Sequence, residues 1–450
     1  MSRDEFILKS ISPIDGRYRN KTSGFSDYFS EYALIKYRVY IEIKYFLELC
    51  NKPIKNLDSL SKKNKSDINN IYKNFNIEDA KKIKKIESKI NHDVKAVEYF
   101  IKENLDDLNL SKYKEFVHFG LTSQDINNTA IPLMIKDSLS NIISKSYTIL
   151  MQGLNKISLK TYDIPMIART HGQPATPTTF GKEIKVYESR LKNQINTLGK
   201  IPNNGKFGGA SGNLNAHYAA YPHINWDDFS DNFLMGIGLE RSKPTTQIEH
   251  YDNMASIFHN LSRINTILID FCRDMWHYIS INYLIQKVNS KEVGSSAMPH
   301  KVNPIDFENA EGNLMIANSQ LIFLAEKLPI SRLQRDLTDS TVSRNIGIPF
   351  SHIKIGIDSI VSGLNKVDIN KKIINKDLHD NWAVVSEAIQ TILRRENVEK
   401  PYELLKDLTR GNKEINQKAI SQFINKLPLS DIVKKELLSI SPENYLGNLK

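Results

Sequence analysis

Cysteine is scarce in this chain of 450 residues, and its two cysteines, Cys50 and Cys272, lie far apart and without the spacing of a metal-binding motif. This scarcity argues against a disulfide framework and against a structural zinc site. The chain also has no long apolar run. Its longest apolar stretches fall well short of the roughly 18 residues that suggest a membrane span. The first residues, MSRDEFILKSIS, include acidic side chains and no apolar stretch typical of a secretory signal. We therefore expect a cytoplasmic protein with no membrane partner.

The charge of the chain is unbalanced towards lysine. The formal net charge is +10, and much of it comes from two segments rich in lysine and asparagine, 61–74 and 81–89. These segments are either solvated helical faces or surfaces that attract polyanions. Because the lysines are spread through the chain without an aromatic-rich recognition motif, we expect no nucleic-acid partner.

Alternating strand patterns are scarce, whereas apolar residues recur every three or four positions over long segments. This periodicity predicts long helices over 133–159, over 248–285 and from just after Pro304 to about Leu328. At about 1.5 Å per residue, the second helix would be about 55 Å long, which exceeds what one compact domain needs. The sequence therefore predicts an all-α fold with a central bundle of long helices, which we interpret as shared between subunits.

Breaks in this pattern predict three domains. An N-terminal helical domain would cover 1–112 and end just before the segment EFVHFGLTSQD. A central long-helix domain would cover 113–368, and a C-terminal domain of shorter helices would cover 369–450. The length of the chain agrees with two or three domains.

The segment GSSAMPHKVNPIDFE, residues 294–308, joins a glycine and two serines to a predicted helix start. Asn303 is a favourable N-cap, and Pro304 suits the first helical position. The preceding loop would then lie at the positive end of the helix dipole, where Lys301 adds a full charge and an anion is favoured. From the residues alone, a carboxylate site and a capped loop with two surface serines both remain open.

Other polar segments present the same choice between a site and a structural role. His92 and Asp93 in NHDVKAVEYF either serve a site or cap a helix. In HFGLTSQDINNTA, a polar group stands ahead of another predicted helix and consists of Thr122, Ser123, Gln124 and Asp125. His171, in ARTHGQPATPTTFGKE, is expected in a rigid loop, where it either takes part in chemistry or satisfies loop carbonyls.

Two further segments are rich in arginine or glycine. RLQRDLTDSTVSR, residues 332–344, combines three arginines with hydroxyl side chains, which suits either a phosphate site or a solvated turn. The segment FGGASGNLNAH follows no strand pattern, so we reject a dinucleotide-binding interpretation.

Together these segments resemble one family of enzymes. GSSAMPHKVNP is similar to the signature of the fumarase/aspartase superfamily of lyases, which are long-helical tetramers that eliminate fumarate. Within it, SPIDGRY, NHDVKAVEYF, HFGLTSQDINN, RTHGQPATPTTFGKE and RDLTDSTVSRNIG resemble the adenylosuccinate lyase family, in its bacterial purine-synthesis type, from about Ser12 to Tyr445. At the position of GLTSQD in this chain, argininosuccinate lyases have a segment similar to GRSRND. At the position of ARTHGQPATP, fumarases have a segment similar to GRTHLQDATP.

The resemblance implies two related eliminations. Adenylosuccinate would give AMP and fumarate, and the succinyl-carboxamide ribotide of purine synthesis would give its carboxamide and fumarate. It also implies a homotetramer whose active sites are shared between subunits. No metal or organic cofactor is expected, because the substrate carboxylate itself acts as the electron sink.

The resemblance assigns roles to particular residues. Ser295, the first serine after the glycine, would be the general base, and His171 would protonate the departing nitrogen. The substrate-binding residues that it implies are Arg17, Tyr18, Asn91, His92, Asp93, Thr122, Ser123, Gln247, Ser296, Lys301, Val302, Asn303, Asn309, Arg335, Ser340, Thr341, Val342, Ser343 and Arg344. One departure from the family pattern is Ile90, where a threonine is expected, and it leaves the fine positioning of Asn91 open.

Two other functions remain as hypotheses. A sister lyase would act on malate, aspartate or argininosuccinate rather than on adenylosuccinate. A non-enzymatic role is the other, because a fold alone does not guarantee an activity. The joint presence of His171, Ser295 and Lys301 favours an enzyme.

Overall fold

The computed structural model of the chain describes residues 3–55, 57, 60–287, 298, 301–411 and 415–449. Within these ranges the α-helices are α1 (Arg3–Lys9), α2 (Arg19–Thr22), α3 (Ser26–Phe29), α4 (Glu31–Leu49), α5 (Lys62–Lys73), α6 (Ile77–Ile90), α7 (Asp93–Asp107), α8 (Ser123–Ser138), α9 (Ser144–Lys160), α10 (Phe180–Leu198), α11 (Asn215–Ala220), α12 (Trp226–Gly236), α13 (Asp252–Ser280), α14 (Ile305–Lys327), α15 (Thr338–Ser343), α16 (Gly347–Lys366), α17 (Lys371–Asp380), α18 (Ser386–Arg395), α19 (Pro401–Gly411), α20 (Gln417–Lys426) and α21 (Asp431–Leu438).

Six short strands complete the described structure. They are β1 (Pro165–Thr170), β2 (Gln173–Thr179), β3 (Asn204–Gly205), β4 (Glu240–Arg241), β5 (Leu284–Gln286) and β6 (Val367–Ile369). Each pairs with one partner: β1 with β2 and β5 with β6 antiparallel, and β3 with β4 parallel. Sheets of this size leave helices dominant, so the predicted all-α class is confirmed.

The three predicted long helices are present, with shifted ends. The segment 133–159 is helical throughout, because a π-helical turn, Leu139–Ile143, joins α8 to α9. The segment 248–285 yields a shorter helix, α13, of 29 residues, or about 44 Å. Tyr251 and Asn282 border it with φ of 62° and 61°, and a left-handed residue cannot continue a right-handed helix.

The helix after the serine-rich segment starts just after Pro304, as the apolar period predicts, and one residue later than the cap pattern suggests. It begins at Ile305, and the carbonyl of Pro304 accepts a hydrogen bond from the N–H of Glu308 at 3.2 Å. Pro304 therefore occupies the cap position that the sequence suggested for Asn303. A shift of one residue is the usual uncertainty of a helix end.

The chain divides into two compact units, which we describe separately. The first comprises 1–147, 194–266 and 312–358, and the second comprises 148–193, 267–311 and 359–450. This division is not the one predicted from the sequence, whose boundaries at 112 and 368 stay a prediction. No helix in the described part of the chain is long and apolar enough to span a lipid bilayer.

The core of the first unit forms around α4. This helix packs against α5, α7 and α8, and its side chains Val39, Ile43 and Phe46 are buried, as are Val97 of α7 and Ile126 of α8. Burying such apolar side chains is the main favourable contribution to folding. The first unit therefore has an apolar core built around α4.

The second unit has buried side chains in two regions. Tyr187 and Phe307 each contact the ring of Phe271, with ring centroids 5.3 and 6.3 Å apart. A separate cluster gathers buried side chains from the last helices, namely Trp382, Val385, Ile389, Leu393, Leu405, Ile420, Ile424, Leu427 and Leu437. This second cluster forms an apolar core among the last helices of the unit.

Candidate active site

The Asn-His-Asp turn connects α6 to α7 in the first unit. Asn91 ends α6 in the left-handed conformation, with φ of 52°, which asparagine tolerates better than most residues. Nδ1 of His92 accepts a hydrogen bond from the N–H of Lys95 at 3.1 Å, so His92 caps α7. A neutral ring with Nδ1 as acceptor carries its proton on Nε2 and retains that group as a donor. Ile90 is exposed at the end of α6.

Asp125 anchors the segment that contains Thr122 and Ser123. Its buried carboxylate accepts a hydrogen bond from the N–H of Thr122 at 2.8 Å, which fixes the start of α8. It also accepts from Nζ of Lys206 at 2.7 Å, and both side chains are fully buried. Burial lowers the pKa of Lys206, and the charge of Asp125 opposes that effect. The geometry of Thr122 is thus set by a buried ion pair.

The glycine-rich segment binds the same carboxylate. The N–H groups of Gly208 and Gly209 donate to Oδ1 of Asp125 at 2.8 and 3.1 Å. Gly212 has φ of +85°, and a Cβ there would lie 2.1 Å from the carbonyl oxygen of Thr245. Only glycine fits that position. The segment therefore holds a side chain of the chain itself, which agrees with our rejection of a dinucleotide site.

Arg335, Ser340 and Gln247 are brought together. Arg335 donates from Nη1 to Oε1 of Gln247 at 3.4 Å and from Nη2 to Oγ of Ser340 at 3.3 Å. Gln247 also donates from Nε2 to the carbonyl of Ala210 at 3.2 Å. Nε of Arg335 is buried and lies 4.0 Å from Oδ1 of Asp339. A guanidinium beside a hydroxyl is suited to bind an anion.

A buried network supports this cluster from below. Asp339, which is 5% exposed, accepts at Oδ2 from Nε2 of Gln124 at 3.2 Å and from the hydroxyl of Tyr251 at 3.0 Å. Asn128 donates to that hydroxyl at 2.6 Å. These bonds connect α8 to α15 and so fix the neighbouring Ser340.

Arg344 lies between two carboxylates. Its Nη1 donates to Oε2 of Glu31 at 2.6 Å, and its Nη2 donates to Oδ2 of Asp93 at 3.1 Å. Burial would raise the pKa of Asp93, but the charge of Arg38, the N–H of Val94 and the charge of Arg344 together lower it. Asp93 is therefore ionised at neutral pH and joins two predicted binding segments.

Three other residues of the arginine-rich segment lie in the last turn of α15. Ser343 donates from Oγ to the carbonyl of Ser340 at 3.4 Å. Thr341 is exposed and Val342 is half-buried, and the carbonyls of both accept hydrogen bonds from the side chain of Asn345. Ser343 and Thr341 thus offer hydroxyls near Arg344, whereas Val342 offers only its backbone.

The N-terminal segment borders the same region. A pocket of about 500 Å³ is lined by Ser12 and Asp15 of that segment and by Arg344. Arg17 is exposed, and its guanidinium lies over the ring of Tyr18, 5.9 Å from the ring centroid. The structure thus brings the segment, though not the side chains of Arg17 and Tyr18 themselves, to the wall of this pocket.

His171 belongs to the second unit, at the tip of the hairpin formed by β1 and β2. Thr170 pairs with Gln173, which leaves His171 and Gly172 as the turn, with φ of 53° and 75°. Two successive residues with positive φ are typical of a tight type I′ hairpin turn. The hairpin is held by an ion pair, because Nη2 of Arg169 lies 2.6 Å from Oδ2 of Asp377. His171 is exposed at the tip of this hairpin.

The signature segment is described only in part. Ser295 and Ser296 lie outside the described residues. Lys301 is exposed, Asn303 is half-buried, and the carbonyl of Val302 accepts a hydrogen bond from Nε2 of Gln286 at 2.8 Å.

Asn309, on α14, donates to Oγ of Ser359 at 2.8 Å. This bond connects α14 to α16 within the second unit. The amide of Asn309 is thus held in a fixed orientation.

Two buried charges on α4 were not assigned to the site from the sequence. Arg38 is 3% exposed and Glu42 is 1% exposed. Arg38 contacts Asp93, and Oε1 of Glu42 lies 2.6 Å from Nδ1 of His118, four residues before Thr122. Burial lowers the pKa of His118, but the charge and hydrogen bond of Glu42 raise it overall. The signal was present in the sequence as charged residues inside an apolar helical stripe.

The arginine-rich segment of the first unit thus combines cationic and hydroxyl groups with contacts to Gln247 and Asp93. Arg335 and Arg344, with Ser340, suit a phosphate or a carboxylate. The described part of the chain contains no group of three or more His, Cys, Asp or Glu side chains placed to hold a metal ion. That the enzyme needs no metal or organic cofactor remains an expectation.

Comparison with known families identifies the class of protein. The model of the lyase family matches residues 16–318, and that of the adenylosuccinate lyase C-terminal region matches residues 331–446. A solved fumarate lyase from Mesorhizobium sp. BNC1 has a TM-score of 0.74 with 18% identity, and the match covers 95% of each chain. At that identity the likeness speaks for the fold alone. The chain is a lyase.

Two curated relatives define the family more narrowly. Adenylosuccinate lyase of Dictyostelium discoideum is 56% identical over 98% of this chain and 97% of its own. Adenylosuccinate lyase of Escherichia coli strain K12 is 45% identical over the same shares. The chain belongs to the adenylosuccinate lyase family, which confirms the resemblance of its motifs.

Proposed function

We propose that the chain eliminates fumarate from adenylosuccinate, which leaves AMP, and from the succinyl-aminoimidazole carboxamide ribotide, which leaves AICAR. One observation carries this proposal: in the first unit Arg335 contacts Gln247 and Ser340, and Arg344 of the same segment contacts Asp93 of the Asn-His-Asp turn. In a member of this family, such a cluster suits the nucleotide end of a substrate that has one phosphate and two carboxylates.

The chemistry requires a base, an acid and an anion site. We assign the base to Ser295, which removes a proton from the carbon next to a carboxylate, and the acid to His171, which protonates the departing purine nitrogen. A serine hydroxyl holds its proton far above neutral pH, so the base is effective only if the resulting dianionic carboxylate is stabilised. Lys301 and Asn303 suit that task, and one oriented donor commonly contributes about 3–4 kcal/mol to such a step.

We further propose that the chain assembles into a homotetramer in the cytoplasm. The central long helices, of which α13 has 29 residues, suit a bundle shared between subunits. Closed symmetry would bring distant segments of different chains together, and the active site would then combine residues of more than one subunit. The predicted domains 1–112, 113–368 and 369–450 belong to this proposal.

We expect purified protein to convert adenylosuccinate to AMP, with the ultraviolet absorbance change that accompanies loss of the succinyl group. The same assay should be run with malate, aspartate and argininosuccinate as competing substrates. Turnover of one of these without turnover of adenylosuccinate would replace the proposal by a sister lyase. Inactivity of folded protein on all four would favour the non-enzymatic hypothesis.

We expect Arg335→Ala and Arg344→Ala to raise KM by a much larger factor than they lower kcat. A phosphate contact is present in both the ground state and the transition state, so its loss weakens binding without slowing the chemical step. Steady-state kinetics on adenylosuccinate measure both constants. A normal KM in both variants would return the arginine-rich segment to the solvated-turn interpretation.

A further inference from the structure

Arg38 carries a buried charge that folding alone does not explain. Its side chain is 3% exposed, Nη2 donates to Oδ2 of Asp93 at 2.7 Å, and Nε donates to Oδ1 of Asn127 at 2.9 Å. Nη1 is buried and has no hydrogen-bond partner among the described residues. A buried ion pair seldom adds net stability, and an unused buried donor reduces it. An effect of Arg38 on the charged groups around Asp93 therefore accounts better for an arginine at this position.

The same oxygen of Asp93 is shared with Arg344. Oδ2 accepts from Arg38 at 2.7 Å and from Arg344 at 3.1 Å, while the other end of Arg344 lies 2.6 Å from Glu31. Two guanidinium groups thus face two carboxylates, and the four charges sum to zero.

Arg38 decides the sign of this cluster. Without it, Arg344 would face two carboxylates alone, and the remaining three groups would have a net charge of −1. Lys84 does not change this balance, because it pairs with both Glu31 and Glu87. A phosphate approaching a cluster of net negative charge is repelled.

We propose that Arg38 is a positioning residue that acts through Asp93 on Arg344. By binding Asp93 from the buried side, Arg38 partly neutralises that carboxylate and leaves the charge of Arg344 for a phosphate-bearing ligand. The inference rests on the proposed function, in which Arg344 contacts the substrate phosphate. Arg38 itself is buried on α4 and is not assigned a contact with substrate.

Arginine is the residue that this geometry requires. Its planar fork reaches Asp93 at the start of α7 and Asn127 on α8 at the same time, whereas a lysine would offer one flexible ammonium. We therefore expect Arg38→Lys to retain part of the neutralisation of Asp93 by Arg38. We expect Arg38→Gln to abolish that neutralisation, because glutamine keeps a donor but no charge. If Arg38→Gln does not fold, Arg38→Lys carries the test.

The experiment measures AMP binding by calorimetry in four chains: wild type, Arg38→Gln, Arg344→Ala and the double variant. We expect each single variant to raise the Kd for AMP at least about tenfold. In the double variant, Arg38→Gln should add less than about threefold, because residues that act through one another are not additive. With substrate, Arg38→Gln should change KM far more than kcat.

Arg241→Gln is the matched control. The side chain of Arg241 is 5% exposed and lies within 3.2 Å of Asp227 and Asp231, outside the predicted binding segments. The Arg241→Gln variant is expected to bind AMP with the same Kd as the wild type. Equal weakening in Arg241→Gln would reduce the effect to general destabilisation and overturn the inference.

The remaining outcomes separate this inference from the proposed function. An unchanged Kd in Arg38→Gln, or full additivity with Arg344→Ala, overturns the positioning role whatever the enzyme turns over. AMP binding with the expected coupling but no turnover of adenylosuccinate supports the positioning role and contradicts the proposed function. Failure of the wild type to bind AMP contradicts both.

Discussion

Replacing His171 or Ser295 with alanine is expected to lower kcat by at least about 10²–10⁴-fold, the contribution typical of a general acid or base. Each variant removes a proton-transfer group from the proposed reaction while leaving the arginine cluster of the first unit in place. Substrate binding should therefore weaken much less than turnover. Steady-state and single-turnover kinetics on adenylosuccinate distinguish the two effects.

Two further variants provide the controls. His379→Ala removes an exposed histidine that pairs with Glu443 in the second unit, and it should leave kcat close to that of the wild type. Ser296→Ala tests which serine is the base, because the assignment to Ser295 rests on family resemblance. If a variant of His171 or Ser295 retains more than about a tenth of wild-type kcat, the replaced residue does not have the role assigned to it.

Much of the fold could be predicted from the sequence because helices are local. The apolar period over 133–159 lies inside the continuous helical stretch from α8 to α9, and α14 begins within one residue of the predicted start. The predicted ends of α13 were wrong because a left-handed residue stands at each border of the helix, Tyr251 before it and Asn282 after it. Nothing in the apolar period signals such a residue.

The small strands and the buried polar contacts could not be predicted in the same way. The hairpin that carries His171 includes two prolines in β2 and one at the start of β1, and these hide its strand pattern. Arg38 and Asn127 are 89 positions apart, and Lys206 and Asp125 are 81 apart. Such contacts depend on tertiary packing, and motif spacing carries no information about it.

For the site, motif resemblance and structure supply different things. The motifs nominated Arg335, Arg344 and Asp93, and the structure adds the bonds that orient them, through Gln247, Glu31 and Arg38. The serine pair shows the reverse case. Ser295 and Ser296 lie outside the described residues, so their roles rest on the sequence alone and on the kinetic test above.

A mixture of the two inactive variants, His171→Ala and Ser295→Ala, is expected to regain activity after gentle unfolding and reassembly. The reason is the proposed shared site, in which the histidine and the serine come from different subunits. A site then works when its histidine belongs to a Ser295→Ala chain and its serine belongs to a His171→Ala chain. In an equal random mixture each condition holds about half the time, so roughly a quarter of the sites should recover.

The controls for this experiment are the separate variants taken through the same unfolding and reassembly, which should stay inactive. Native mass spectrometry of differently tagged chains would show that hybrid tetramers have formed. If both residues of a site came from one subunit, every site in a hybrid would still lack one of them, whatever the mixing ratio. Hybrid tetramers without regained turnover would therefore contradict the shared site. Recovery close to a quarter would contradict a site built within one chain, because mixing inactive chains cannot repair such a site.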